Sequence, residues 1–260
     1  MVTETIVVSR SEAAAVIRLN RPARRNAISQ QMMSEIIAAL DEAERDPAVR
    51  TVIISGGNEY FSAGADLNEA LQVRSVPAAM DFLGSLHRLN DRIETLDKPV
   101  IAAIEGFCMT GGLELALACD LRVAGEGSSF AITSARIGTV PGAGGTQRLP
   151  RIVGKANALE MLFAAEPIGC AEAFRIGLIN RRTDRGGALN EALAMARVHA
   201  ERAPLSLALV KRAVHRGLQV DIESGLELET FLVASIYTTE DKQEGISAFL
   251  EKRKPQFRGS

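Results

Sequence analysis

Three features of the chain predict an α/β fold. Short β-branched or apolar runs alternate with stretches of helical periodicity. The connections between them are short, and 260 residues at 47% hydrophobic content can bury one large core, or a core with a small appendage. The apolar runs are too short and uneven for an eight-fold barrel.

In chain order, Thr5 to Val8 and Ala15 to Leu19 read as a hairpin around a polar turn, Ser9 to Ala13. A basic loop, Asn20 to Asn26, follows. Ser29 is placed to cap a helix whose apolar positions Met32, Met33, Ile36, Ile37 and Leu40 keep helical spacing to about Arg45, and Asp46-Pro47 stops it. Val52-Ile53-Ile54 is a strand; turn-rich Ser55 to Asn58 leads to Tyr60 to Leu67, where small residues flank Gly64 and let another molecule approach the backbone. The same residues also suit a tight crossover without a ligand. Helical spacing returns from about Ala78 to Leu96 through Met80, Leu83, Leu86, Leu89 and Ile93. After Lys98-Pro99 come a buried-type strand, Val100 to Ile104, and two short ones, Leu121 to Ala124 and Ser129 to Ile132. Beyond Ala156 the pattern is mostly helical, with apolar stripes suited to a core or a subunit interface, so we expect a mixed core over residues 1–165 and a helical region over 166–260.

Charge of 24% and a net charge of -2 give no basic surface for nucleic acid or anionic membrane. The opening MVTETIVVSR lacks the basic and then apolar stretch of a signal peptide. Glu105 and Glu114 interrupt the best apolar run before it reaches the roughly 18 to 20 residues of a membrane span. A cytoplasmic protein is expected. Cys108, Cys119 and Cys170 form no CxxC pair and are an odd number, which fits core residues better than disulfides or zinc. His87, His199 and His215 each stand alone in helical patterns, with no metal-binding spacing.

Chemistry concentrates in Cys108 to Asp120, CMTGGLELALACD. Good helix formers follow Gly111-Gly112, so unpaired N–H groups and the positive end of a helix dipole face whatever lies before Gly111. Glu114 sits on the first turn among apolar neighbours. Burial favours its neutral form and the helix terminus its charged form, a balance that suits proton exchange near neutral pH. A first-turn acid that only complements the dipole fits the pattern too. A second glycine-rich stretch, Thr139 to Thr146, lacks GxGxxG, and Gly154-Lys155-Ala156 lacks the partners of a phosphate loop.

Six segments in order, LNRPARRNA, FSAGADL, KPVIAAIEG, TGGLELALACD, GTVPGAGGTQRLPRIVG and EGISAFLEKRKPQF, closely resemble the crotonase, or enoyl-CoA hydratase/isomerase, superfamily along nearly the whole chain. The resemblance implies a spiral of ββα repeats with a C-terminal helical trimerisation region, assembled as a homotrimer or dimer of trimers. It implies an acyl-CoA substrate and no cofactor beyond the coenzyme A the substrate carries. The N–H groups of Ala65 and Gly111 match the oxyanion hole that grips the thioester oxygen, where a well-aimed donor is worth roughly 3 kcal/mol. Glu114 matches the catalytic acid-base group. Ala63 matches the approach to adenine, Arg24 a basic position near the CoA phosphates, and Phe249 and Lys252 positions from which a neighbouring subunit reaches CoA. Ala27, Gly64, Asp66, Leu67, Gly112 and Thr133 fall within the matching substrate-binding segments.

The chain departs from the hydratase pattern at the second glutamate, twenty residues beyond Glu114, where Ser134 stands. No acid lies between Glu126 and Glu160 to replace it. A serine hydroxyl holds water or relays a proton but is no carboxylate base. Hydration by Glu114 alone and double-bond migration by one carboxylate both fit, as does a weakly catalytic acyl-CoA binding protein. Asn68 replaces a CoA-contacting Lys of some hydratases, and Gly142 stands where dienoyl-CoA isomerases carry an Asp.

Overall fold

The computed structural model describes residues 3–260, so Met1 and Val2 of the expected 1–165 unit lie outside it. The chain opens on an antiparallel hairpin, β1 (Ile6–Ser11) and β2 (Ala14–Leu19), with Ile6 opposite Leu19 and Ser11 opposite Ala14. Ser9, Arg10 and Ser11, expected in the turn, continue the strand: the reversal needs only Glu12 and Ala13, with Glu12 at a left-handed φ of 52°. Helix α1 (Gln30–Arg45) begins as expected at Ser29, whose hydroxyl accepts from Met32 N at 3.2 Å.

The middle of the chain repeats one pattern, a strand, a second short strand and then helix. The first unit is β3 (Thr51–Ser55), β4 (Tyr60–Ser62), α2 (Leu67–Ala70) and α3 (Val76–Thr95). The second is β5 (Val100–Ile104), β6 (Phe107–Met109) and α4 (Gly111–Ala118). The third is β7 (Leu121–Gly125), β8 (Ser129–Ala131), a 3-10 turn over Ser134–Ile137, α5 (Gly145–Val153) and α6 (Lys155–Ala164). The chain closes with β9 (Ile168–Gly169), α7 (Cys170–Arg175), β10 (Arg181–Thr183), α8 (Ala188–Ala200), α9 (Pro204–Gly217), α10 (Ile222–Ile236) and α11 (Glu240–Leu250).

First strands of the units share one sheet, ordered β1-β2-β3-β5-β7-β10, and second strands another, β4-β6-β8-β9. Strand neighbours are parallel except in the β1–β2 and β8–β9 pairs. Each ββα unit therefore adds one strand to both sheets and stacks on the last, which is the expected spiral. The larger sheet is covered on both faces, so β3 and β5 are buried at every position. Alternation divides them: Val52, Ile54, Val100, Ala102 and Ile104 enter the main core with α1, α3 and α4, while Ile53, Ile101 and Ala103 pack against Ala188, Ala192 and Ala196 of α8.

Past residue 165 the chain is not helix alone. β9 and β10, too short to show a period of their own, extend both sheets, because the outer edges of β8 and β7 need partners. The helical region proper is α8 to α11. All three cysteines are free and buried. His199 Nδ1 lies 3.2 Å from Thr51 Oγ1, and His215 Nε2 lies 3.2 Å from Asp120 Oδ1, so two of the histidines fasten helices to the core rather than standing alone. Among the described residues no helix is long and apolar enough to cross a membrane.

Candidate active site

β4, β6 and β8 lie parallel, with Tyr60 opposite Phe107 and Cys108 opposite Phe130, so the segments leaving their C-terminal ends gather in one place. These segments carry Gly64-Ala65, Gly111-Gly112 and Thr133-Ser134. A Cβ added at Gly111 would sit 3.0 Å from Ala65 N, and one at Gly64 would sit 3.1 Å from Gly111 N, so the two backbones touch. Gly64 has φ +106°, which a side chain there would resist.

Three of four successive N–H groups along the first segment are used: Ala63 N donates to Arg25 O at 2.9 Å, Gly64 N to Ser62 Oγ at 3.1 Å and Asp66 N to Ile28 O at 3.0 Å. Ala65 N has no acceptor among the described residues. Gly111 N, on the open first turn of α4, has none either. Two neighbouring free donors, one backed by a helix dipole, are what an oxyanion requires.

Thr110 sets the direction of the second donor. It precedes α4 at φ 45°, ψ -114°, a sparsely populated conformation for a β-branched residue. Three contacts hold it there: its N–H donates to Ala131 O at 2.7 Å, its hydroxyl accepts from Thr133 N at 3.2 Å, and the Thr110 and Thr133 hydroxyls share a 2.9 Å bond. Thr133 thus supports the Gly111 turn. Gly112 packs α4 onto β4, since a Cβ there would fall 2.6 Å from Ser62 Cβ.

Glu114 lies three residues beyond Gly111, on the same helix face, and is 3% exposed. Its Oε1 accepts two backbone bonds of 2.8 Å, from Ala143 N and Gly145 N, and Oε2 accepts none from the described residues. One oxygen is fixed; the other is left for chemistry. Burial pushes the carboxyl up from the ordinary glutamate range, and the N–H groups of Gly145 and Ala143, with His87 and Arg148 more distant, only partly offset it. The grip depends on Gly144, which adopts φ +102° and lies so close to the Arg148 guanidinium that a Cβ there would collide.

Ser134 opens the 3-10 turn at 2% exposure, and its hydroxyl has no partner among the described residues. The remaining expected residues divide. Asp66 caps α2 through Asn68 N at 3.0 Å and pairs with Arg21 at 3.0 Å; these contacts outweigh its burial and lower its pKa, so its side chain is taken up in structure. Leu67, Ala63 and Arg24 are exposed, and half-buried Ala27 shares with Arg24 the loop that straps the Ala65 segment. Phe249, 81% exposed, and Lys252 belong to the end of α11 and are not brought to the Glu114 cluster by any contact within the chain.

Sequence reasoning missed the clasp of that strap. Buried Asn26 accepts from Arg21 N at 2.9 Å and donates from Nδ2 to Tyr60 O at 2.9 Å and Phe61 O at 3.2 Å, tying the basic loop to β4. Its place in a run of cations suggested solvent, and only its left-handed backbone, favoured by Asn, hints otherwise. Asn26→Ala leaves these groups without partners and is expected to destabilise the protein by about 2–3 kcal/mol, read from denaturant unfolding; an unchanged midpoint would refute the clasp.

The spiral of ββα units thus brings together two backbone N–H groups without acceptors among the described residues and one buried carboxyl. The chain belongs to the enoyl-CoA hydratase/isomerase family, whose model matches residues 9–260. It is 39% identical to a crotonyl-CoA hydratase of Syntrophomonas wolfei across 99% of both chains, and 39% identical to a probable enoyl-CoA hydratase of Bacillus subtilis across 94% of this chain and 95% of that one. A solved enoyl-CoA hydratase from Bacillus anthracis superposes with a TM-score of 0.94 at 34% identity, covering 99% of this chain and 100% of the other.

Proposed function

We propose that the protein hydrates an enoyl-CoA thioester, using the N–H groups of Ala65 and Gly111 as the oxyanion hole and Glu114 as the only carboxylate. The observation that carries this reading is the fixed half of Glu114: with Oε1 held by Ala143 N and Gly145 N, Oε2 is the free base on the helix face shared with Gly111. Glu114 takes a proton from water as the hydroxide oxygen bonds to the β-carbon. The electron pair of the double bond moves onto the thioester oxygen, where the two N–H groups stabilise it. Glu114 then returns the proton to the α-carbon, so water adds across the double bond and the enzyme is regenerated. The hydroxyl of Ser134, a residue 2% exposed, has no partner among the described residues and is suited to hold the water.

A second reading, double-bond migration, is favoured by Ser134 itself. One carboxylate suffices to take a proton from the α-carbon of a 3-enoyl thioester and return it to the γ-carbon as the double bond shifts into conjugation, without any second acid. In both readings coenzyme A enters only as part of the substrate and the protein is cytoplasmic. The exposed Ile222, Leu226 and Phe231 of α10, a helix that buries no residue within the chain, with Tyr237 just past its end, support a homotrimer or dimer of trimers in which Phe249 and Lys252 reach a neighbour's CoA.

Incubation with crotonyl-CoA and, separately, with a 3-enoyl-CoA tests the pair. Loss of the conjugated thioester from crotonyl-CoA is the expected result. Its appearance only from the 3-enoyl substrate would replace hydration with isomerisation, and silence in both would leave an acyl-CoA binding protein.

A further inference from the structure

Two sides of one turn meet different partners. The N–H groups of Ala143 and Gly145 face Glu114, and the carbonyl of Ala143 faces the opposite way, toward α3. There Asn90, 2% exposed, donates from Nδ2 to Ala143 O at 2.8 Å. Because the acceptor is a carbonyl, only the nitrogen of the Asn90 amide can make this bond. Arg148 Nη1 also donates to Ala143 O, at 3.2 Å, with Nε and Nη2 bound to Glu94 at 2.7 Å each and Nη2 to Asp91 at 3.1 Å, so the Asn90 bond is the shorter of two holds on this carbonyl.

We propose that Asn90 is a positioning residue for Glu114, acting through the Ala143 carbonyl to aim the two N–H groups that fix Oε1. The proposal rests on the reading of Glu114 as the acid-base group. The turn needs such a hold, because Gly142, Gly144 and Gly145 give it little stiffness of its own. Ala143 O lies in the peptide plane between the two planes whose N–H groups, Ala143 N and Gly145 N, hold Glu114 Oε1, so a bond that fixes the middle plane limits how its two neighbours rotate. Asn90 is 2% exposed and its amide is turned to the Ala143 carbonyl. Its effect is on where Oε2 points and on how strongly the charged carboxylate is favoured. The other charged groups facing Glu114 are His87 from α3 and Arg148 from α5, with Glu94 and Asp91 of α3 neutralising the latter. These remain in place when Asn90 is replaced by a neutral side chain.

The test compares the wild type with Asn90→Ala and Asn90→Leu, the second filling the space if the first folds poorly. Crotonyl-CoA hydration is followed across pH, and the Glu114 carboxyl is titrated by carbon NMR on glutamate-labelled protein, its signal assigned by its loss in Glu114→Gln. We expect kcat to fall about 10- to 100-fold with KM little changed. The acid limb of kcat and the NMR titration of Glu114 should both move to higher pH, since the loosened N–H pair stabilises the carboxylate less. A merely structural role would lower Tm and leave the Glu114 titration where it was. That result, or failure of both variants to fold, would overturn the proposal. A wild type inactive on crotonyl-CoA would sink the hydratase reading alone, because the NMR titration reports on Asn90 without turnover.

Discussion

Glu114→Gln loses hydration by at least the roughly 10² to 10⁴-fold that general acid-base groups supply, and keeps its fold and its affinity for coenzyme A. The fold persists because a glutamine side chain still presents one oxygen to Ala143 N and Gly145 N, the two bonds that place the residue. Oε2, the atom that exchanges the proton, becomes an amide nitrogen that cannot accept one. Calorimetric titration with a CoA ester and the initial rate on crotonyl-CoA measure the two halves. Unchanged turnover would remove Glu114 from the mechanism.

The same substitution carries a stability sign. Burial raises the folded-state pKa of Glu114 above its ordinary value, so folding favours the protonated form. At low pH, where Glu114 is neutral folded and unfolded, ionisation exerts no penalty. As pH rises from the unfolded value through the raised folded one, the folded state loses stability relative to a chain without the group. Tm of Glu114→Gln minus Tm of the wild type should therefore increase across that window and stay constant above it. The proposed role has the opposite preference: a base at Glu114 must be ionised, so we expect the acid limb of the rate to lie above that of an ordinary glutamate. The protein retains a carboxyl that opposes its own stability where that carboxyl works.

The sequence made some of these features legible and not others, for a physical reason. Features set by neighbours a few residues apart could be read: the Ser29 cap, the apolar faces of α1 and α3, the buried β3 and β5, and the glycines before α4. Order along the chain added the family and the Ala65, Gly111 and Glu114 positions. Contacts between remote residues could not be read. Asn90 is 53 residues from the carbonyl it holds, and Thr110 is 23 from Thr133. An asparagine amid helical spacing, or a threonine before two glycines, looks the same whether or not a partner waits. Asp66 shows the converse: it falls inside a substrate-binding motif, yet its carboxylate caps α2 and neutralises Arg21. The edge strands β9 and β10 were invisible because two or three residues carry no period, and only the open edge beside them makes them strands.

Gly111→Ala is the second large effect, and it isolates the oxyanion hole from the acid-base group. Gly111 begins α4, where alanine is a better helix former than glycine, and the added Cβ meets only Ala65 N at 3.0 Å and two Gly64 atoms at 3.5 Å. A shift of a few tenths of an ångström accommodates it. Yet a Cβ 3.0 Å from Ala65 N crowds that N–H, so we expect the methyl group to obstruct a thioester oxygen that accepts from it. Loss of one such donor lowers kcat by about 10² to 10³-fold, and we expect that loss with Tm nearly unchanged. Gly112→Ala is the control one residue away. Its Cβ falls 2.6 Å from Ser62 Cβ and 2.7 Å from Ser62 O, in the packing of α4 on β4 rather than in the hole, so Tm should fall first. If Gly111→Ala retained wild-type kcat, the charge would have to be held elsewhere than between Ala65 and Gly111. If both alanine variants lost stability alike, the free N–H groups would be a consequence of close packing and not its purpose.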